Sequence, residues 1–123
     1  MIETPLTLIV GASENPERYS WRAAQALLAQ GNRIALLGSG KGRIFGLEIQ
    51  NGTPEMERPD TITLYLNPNA QSQIMDYLIG LKPRRIIFNP GTENPVFQKR
   101  AEEAGIEVIS ACTLVLLATN TYR

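Results

Sequence analysis

Three short segments carry the residue types in this chain that could do chemistry, and the first is Gly11-Ala12-Ser13-Glu14-Asn15-Pro16-Glu17-Arg18-Tyr19-Ser20. It follows the apolar run Leu6-Thr7-Leu8-Ile9-Val10 and precedes a helical pattern, so Gly11 stands where the backbone turns off a buried strand. Free N–H groups and the positive end of a helix dipole meet at such a turn and stabilise a phosphate without any catalytic group. Arg18 adds a planar fork for a phosphate, and Ser13 and Ser20 add hydroxyls. Only the first glycine of G-x-G-x-x-G is present. The next strand ends Leu36-Leu37-Gly38-Ser39, with no acid to hold a ribose hydroxyl, which argues against NAD. By spacing alone the segment is equally a tight turn, with Ser20 as a helix cap.

The second segment, Gly38-Ser39-Gly40-Lys41-Gly42-Arg43, puts Lys41 and Arg43 in a backbone that can approach a ligand closely, or makes a solvated turn. The third comprises two similar strand ends, Tyr65-Leu66-Asn67-Pro68 and Phe88-Asn89-Pro90-Gly91-Thr92-Glu93-Asn94-Pro95. Proline after each asparagine halts the strand, and an asparagine amide there reads the edge of a base or an amide, or simply caps a turn. Much other chemistry is excluded. There is no histidine and one cysteine, so no intramolecular disulfide, Cys/His zinc site, Ser-His-Asp triad or Cys-His pair exists. Cys112, among apolar neighbours, reads as a buried inert thiol, and Lys99-Arg100 with Glu102-Glu103 as a solubilising helix face.

The elements that must position these segments alternate. Leu6–Val10 predicts a strand, Trp21, Ala24, Leu27 and Leu28 a helix over 20–30 ended by Gly31, and Arg33–Leu37 a second strand, together a βαβ unit. Residues 38–60, with five glycines and two prolines, predict irregular structure and one short strand near Glu48-Ile49. A strand is predicted over 61–66, and a helix capped by Asn69 with Ile74, Leu78 and Leu81 on one face. A strand over 85–88, a helix begun by Asn94-Pro95 and closed by Gly105, and a strand over 107–109 follow. Thr113–Ala118 is apolar all round, either helix or strand. The expectation is a single α/β domain over 1–123: a Rossmann-like, doubly wound, mainly parallel sheet of about five strands with helices on both faces.

The totals agree with that reading. The 123 residues suffice for one core, and 43% hydrophobic with 20% charged residues is a folding composition. Twelve basic and twelve acidic residues give no overall field to attract nucleic acid or an anionic membrane. No apolar stretch approaches a membrane span, and Met1–Pro5 has no basic region before an apolar run, so a cytoplasmic location is expected.

Taken together, Ile9-Val10-Gly11-Ala12-Ser13, Arg18-Tyr19-Ser20, Ile44-Phe45-Gly46, Tyr65–Pro68, Phe88–Asn94 and Ala111-Cys112-Thr113-Leu114 resemble the CoA-binding domain family. Its members include small stand-alone proteins related to the CoA-binding domain of the succinyl-CoA synthetase α-subunit. The resemblance implies a coenzyme A or acyl-CoA ligand, with phosphate contacts from Gly11, Ala12, Ser13, Arg18, Tyr19 and Ser20. It implies an upper wall for the ligand of Asn67, Pro68, Asn89, Pro90 and Gly91. Where the family usually carries Val-Asn-Pro-Lys after the second strand, this chain has Leu37-Gly38-Ser39-Gly40, with its lysine one position later at Lys41. The resemblance brings no catalysis, because the synthetase's phosphorylated histidine lies in a domain absent here. Two further readings are a nucleotide- or NAD-dependent enzyme using Glu93 or Tyr19 as acid or base, and an interaction domain without a ligand.

Overall fold

The computed structural model describes residues 4–123. The expectation that the chain opens without a targeting segment falls in part on Met1–Glu3, outside the described residues. In chain order the elements are β1 (Leu6–Val10), α1 (Tyr19–Ala29), β2 (Arg33–Leu37), β3 (Arg43–Ile44), β4 (Leu47–Gln50), β5 (Thr61–Leu64), α2 (Pro68–Gln71), α3 (Met75–Gly80), β6 (Arg85–Phe88), α4 (Pro95–Glu103), β7 (Glu107–Ser110) and α5 (Thr113–Ala118).

One sheet runs in the order β3-β4-β2-β1-β5-β6-β7. All neighbours are parallel except the antiparallel pair β3 and β4. Without the two-residue β3, the remaining six strands follow the order of a doubly wound dinucleotide-binding sheet, in which the sequence order, not the strand direction, reverses between β1 and β5. Seven strands replace the expected five or so, because 38–60 holds more pairing than its glycines suggest. Phe45 (φ +50°) and Gly46 (φ +82°) turn back in the left-handed region, as a two-residue hairpin requires. Ile49 and Gln50 then pair with Leu36 and Leu37 at the sheet edge.

The strands sort their side chains between two cores. Leu8, Val10, Ile62, Leu64, Ile86 and Phe88 pack against Met75 and Leu78 of α3 and Phe97 and Ala101 of α4. Ile9, Ile34, Leu36 and Ile87 pack on the other face against Ala24 and Leu27 of α1 and Leu117 of α5. Thr113–Ala118 is therefore a helix, and it covers the hydroxyl-bearing face of the central strands: Thr7 meets the Tyr122 hydroxyl at 2.6 Å, and Thr63 meets Thr113 at 2.8 Å. Burying those threonines is tolerated because each has a partner.

The predicted helix after β5 is divided. Asn67, not Asn69, caps it: the Asn67 side chain accepts from Ala70 N–H at 3.0 Å, Pro68 takes the first turn, and the short α2 stops before α3 begins at Met75. The break follows from Gln71, which is fully buried and donates to the carbonyls of both Leu66 and Thr92, tying the β5 exit to the β6 exit.

Candidate functional site

Every parallel strand delivers its exit loop to the same edge of the sheet, and the loops crowd most closely where the strand order reverses. Gly11 turns off β1 at φ +93°, and a Cβ there would lie 3.0 Å from the Tyr65 carbonyl carbon. Gly38, at the β2 exit, would set a Cβ 2.7 Å from the Ala12 carbonyl oxygen. Both positions exclude a side chain, so the exits of β1, β2 and β5 touch backbone to backbone. Gly11 and Ala12 both donate to the Leu37 carbonyl, at 2.8 and 3.0 Å, which locks the first loop onto the end of β2.

From that junction α1 rises with its start uncapped. Its N-cap residue is Arg18, no side chain caps its first N–H groups, and its first turn holds no acid. Such a terminus favours an anion. The loop leading to it is held by its own side chains: Ser13 accepts from Asn15 N–H at 3.1 Å, and Asn15 accepts from Glu17 N–H at 3.0 Å. Ser20 is not the cap; it is buried in the first turn. Glu14 reaches across to accept from Arg43 N–H at 3.0 Å, while Asn51 donates to the carbonyls of Gly38 and Gly40. The glycine-rich second loop is thereby fixed beside the first.

Together these loops enclose a cleft of ≈ 590 Å³. Gly11, Ala12, Ser13, Arg18, Tyr19, Ser20, Lys41 and Pro90, all singled out in the sequence, line it. Arg18 and Lys41 are both exposed in it. Beyond Gly11 lies a depression of ≈ 500 Å³ with Leu37, Leu66 and Ile74 for apolar surface and Asn69 and Gln73 for amides. On the other side Tyr19, Tyr65 and Pro90 are shared with a smaller chamber of ≈ 240 Å³ that Asn89, Cys112 and Leu114 complete. A shallow hollow at the opposite end of the sheet holds Arg33, Glu57, Asp60 and Arg84, whose charges already pair with one another.

Four of the sequence-selected residues have other employment. Asn89 is buried and spends both amide hydrogens internally, donating to Thr63 Oγ1 at 2.7 Å and the Leu64 carbonyl at 2.8 Å, and it accepts from Thr113 N–H at 2.8 Å. It joins β5, β6 and α5, and has no donor left to read a ligand. Asn67 caps α2 and Pro68 begins it. Gly91, in the turn after β6, donates to the Glu93 carboxylate at 2.8 Å, so Glu93 is bound within its own loop and does not line the cleft. Sequence reading passed over Tyr65, which lines both the cleft and the chamber, and Thr113, which is buried under them. Their signals, a tyrosine after a strand and a threonine before an apolar helix, are common to many folds.

The model of a family described as CoA binding domain matches residues 6–118. The chain belongs to the CoA-binding domain family. An uncharacterized protein of known crystal structure is 42% identical to this family member and superposes with a TM-score of 0.93, covering 98% of this chain and 99% of that one. A Thermus thermophilus protein is 23% identical, with a TM-score of 0.84 over 96% of this chain and 90% of its own. A hypothetical protein from Pyrococcus horikoshii OT3 is 19% identical, with a TM-score of 0.83 over 95% of this chain and 83% of its own. The last two show the shared fold. No curated protein matches the chain. Among the described residues no helix is long and apolar enough to cross a membrane, and no cluster of metal-ligating side chains is present.

Proposed function

We propose that this CoA-binding-domain protein binds coenzyme A or an acyl-CoA, with the pyrophosphate over Gly11-Ala12-Ser13 and the start of α1. One observation carries the reading: the uncapped α1 terminus, Arg18 and Lys41 share one cleft at the point where the strand order reverses, in a chain of this family. The helix dipole favours the phosphates at the start of α1, while the N–H groups of Gly11 and Ala12 are already given to the Leu37 carbonyl. Arg18 supplies the planar fork and Lys41 a point charge. The depression beyond Gly11 offers apolar surface to an adenine, with the Asn69 and Gln73 amides at its rim. The role is binding and presentation: the chain has no histidine, and Glu93 is engaged with Gly91 away from the cleft.

Titration calorimetry with CoA, supported by thermal unfolding at rising CoA, tests this. A ligand held only by the native state raises the melting temperature with concentration. No heat and no shift at millimolar CoA or acetyl-CoA would refute the reading. Mass spectrometry of ligand released from undialysed protein then identifies the acyl group.

A further inference from the structure

The glycine-rich second loop already holds an anion, and that anion belongs to the chain. Gly38, Gly40 and Gly42 give their carbonyls to the Asn51 amide and the Ile49 N–H, which ties the loop to β4 and the residue after it. The Arg43 N–H donates to the Glu14 carboxylate at 3.0 Å. That side chain is closely seated. A Cβ on Gly42 would lie 2.5 Å from Glu14 Cγ and closer still to the carboxylate, so the space of the missing Gly42 side chain is where Glu14 sits.

A negative group on a backbone N–H of a glycine-rich loop is the chemistry by which such loops hold phosphates. Glu14 uses it from within the phosphate cleft, where Arg18 and Lys41 are the other charged side chains of the lining. A carboxylate there repels a phosphate instead of holding it. Position decides which phosphate it meets. With a pyrophosphate at the start of α1 and an adenine in the depression beyond Gly11, the ribose between them lies against Ser39, which lines both spaces, and beside Gly40 and Lys41. A further phosphate on the ribose turns toward the loop that Glu14 occupies. Arg18 and Lys41 answer the pyrophosphate, which leaves no further cation in the lining for a ribose phosphate.

We infer that Glu14 is a specificity-determining residue: it stands in for a ribose phosphate on the second loop, so the cleft takes nucleoside diphosphate esters without calling on a phosphate at the ribose. This rests on the CoA reading and narrows its ligand class. Dephospho-CoA, which lacks the 3′-phosphate, is bound about as well as CoA itself.

Calorimetry with CoA and dephospho-CoA on the wild type, Glu14→Gln and Glu14→Ala tests this. The wild type should bind the two ligands within about 5-fold of each other, where a loop free to hold the 3′-phosphate favours CoA by about 10-fold or more. Glu14→Gln keeps an oxygen for the Arg43 N–H and removes the charge, so it should tighten CoA by about 3-fold. Glu14→Ala empties the seat and should tighten CoA by roughly 5- to 10-fold. Dephospho-CoA should change by less than about 2-fold in either variant. Glu14 is exposed, so the melting temperature of Glu14→Gln should match that of the wild type. A wild type that prefers CoA by more than about 5-fold overturns the inference. So does a Glu14→Ala variant that weakens both ligands alike, which makes Glu14 only a strap for the loop, or a Glu14→Gln variant that tightens both alike, which makes it a general charge. In each of those cases CoA binds and the CoA reading stands. If the wild type binds neither ligand, the CoA reading falls and the role of Glu14 falls with it.

Discussion

Replacing Gly11 with alanine tests the loop junction directly, because the site depends on backbones meeting where a side chain would stand. Two costs add. An L-residue in the left-handed region loses about 1–2 kcal/mol. The new Cβ would also lie 3.0 Å from the Tyr65 carbonyl carbon, 3.1 Å from its oxygen and 3.3 Å from Leu66 Cδ2. Two of those atoms are backbone, held by the Tyr65 N–H bond to the Val10 carbonyl at 2.8 Å, so β5 must shift, and overpacking of this kind costs about 1–3 kcal/mol. The sum is near 3 kcal/mol, which for a chain of this length lowers the melting temperature by roughly 10 °C. Gly31→Ala is the internal control: φ is +83° there, with nothing within 4 Å of a Cβ, so it carries only the conformational cost of about 1 kcal/mol. Thermal unfolding of both variants by circular dichroism measures the difference. If Gly11→Ala is no less stable than Gly31→Ala, the β1 and β5 exits do not touch and the cleft is not built as described. Calorimetry below the lowered melting temperature should also show weakened CoA binding.

Other perturbations separate binding from folding. Asn89→Ala removes three buried hydrogen bonds and orphans the Thr113 N–H and Leu64 carbonyl, so urea denaturation should show a loss of about 3 kcal/mol. Arg18→Ala should weaken CoA roughly 10-fold while leaving stability within about 0.5 kcal/mol, since the side chain is exposed. Lys41→Ala should weaken CoA by about 5-fold and flatten the dependence of affinity on salt, measured by calorimetry at two ionic strengths. The Arg84 guanidinium bonded to Asp60 holds that carboxyl below its usual pKa. A depressed folded-state pKa gives stability that is present above the unfolded value and is lost as pH falls through the folded one. Unfolding measured from pH 6 to pH 2 should therefore steepen below the ordinary aspartate range, and Asp60→Asn should blunt that acid limb.

Strand and helix alternation was legible because buried parallel strands and amphipathic helices write their periods locally: β1 and β2 lie where their apolar runs are, and Asn94-Pro95 starts α4 as its cap chemistry dictates. The short strand expected near Glu48-Ile49 is β4, but its partner β3 was hidden, since Phe45 takes a left-handed turn that few non-glycine residues adopt. The cap of α2 lies two residues before the expected Asn69, and Gln71, which the sequence did not mark, is drawn inward by two carbonyls from different loops.

The sequence by itself determined the doubly wound class, the absence of histidine, and a tight turn after β1, because all three depend on local pattern or on composition. Only the tertiary structure decided which loop residues share a space. Asn67 and Asn89 look alike in sequence, each an asparagine before a proline at a strand end. One caps a helix, and the other is sealed among Thr63, Leu64 and Thr113, where both its donors are spent. Tyr65, unremarkable in the sequence, lines both the cleft and the chamber. Hydrogen-bond capacity is allotted among residues distant in sequence, so which polar group remains free for a ligand is settled only when the strands bring every competitor together.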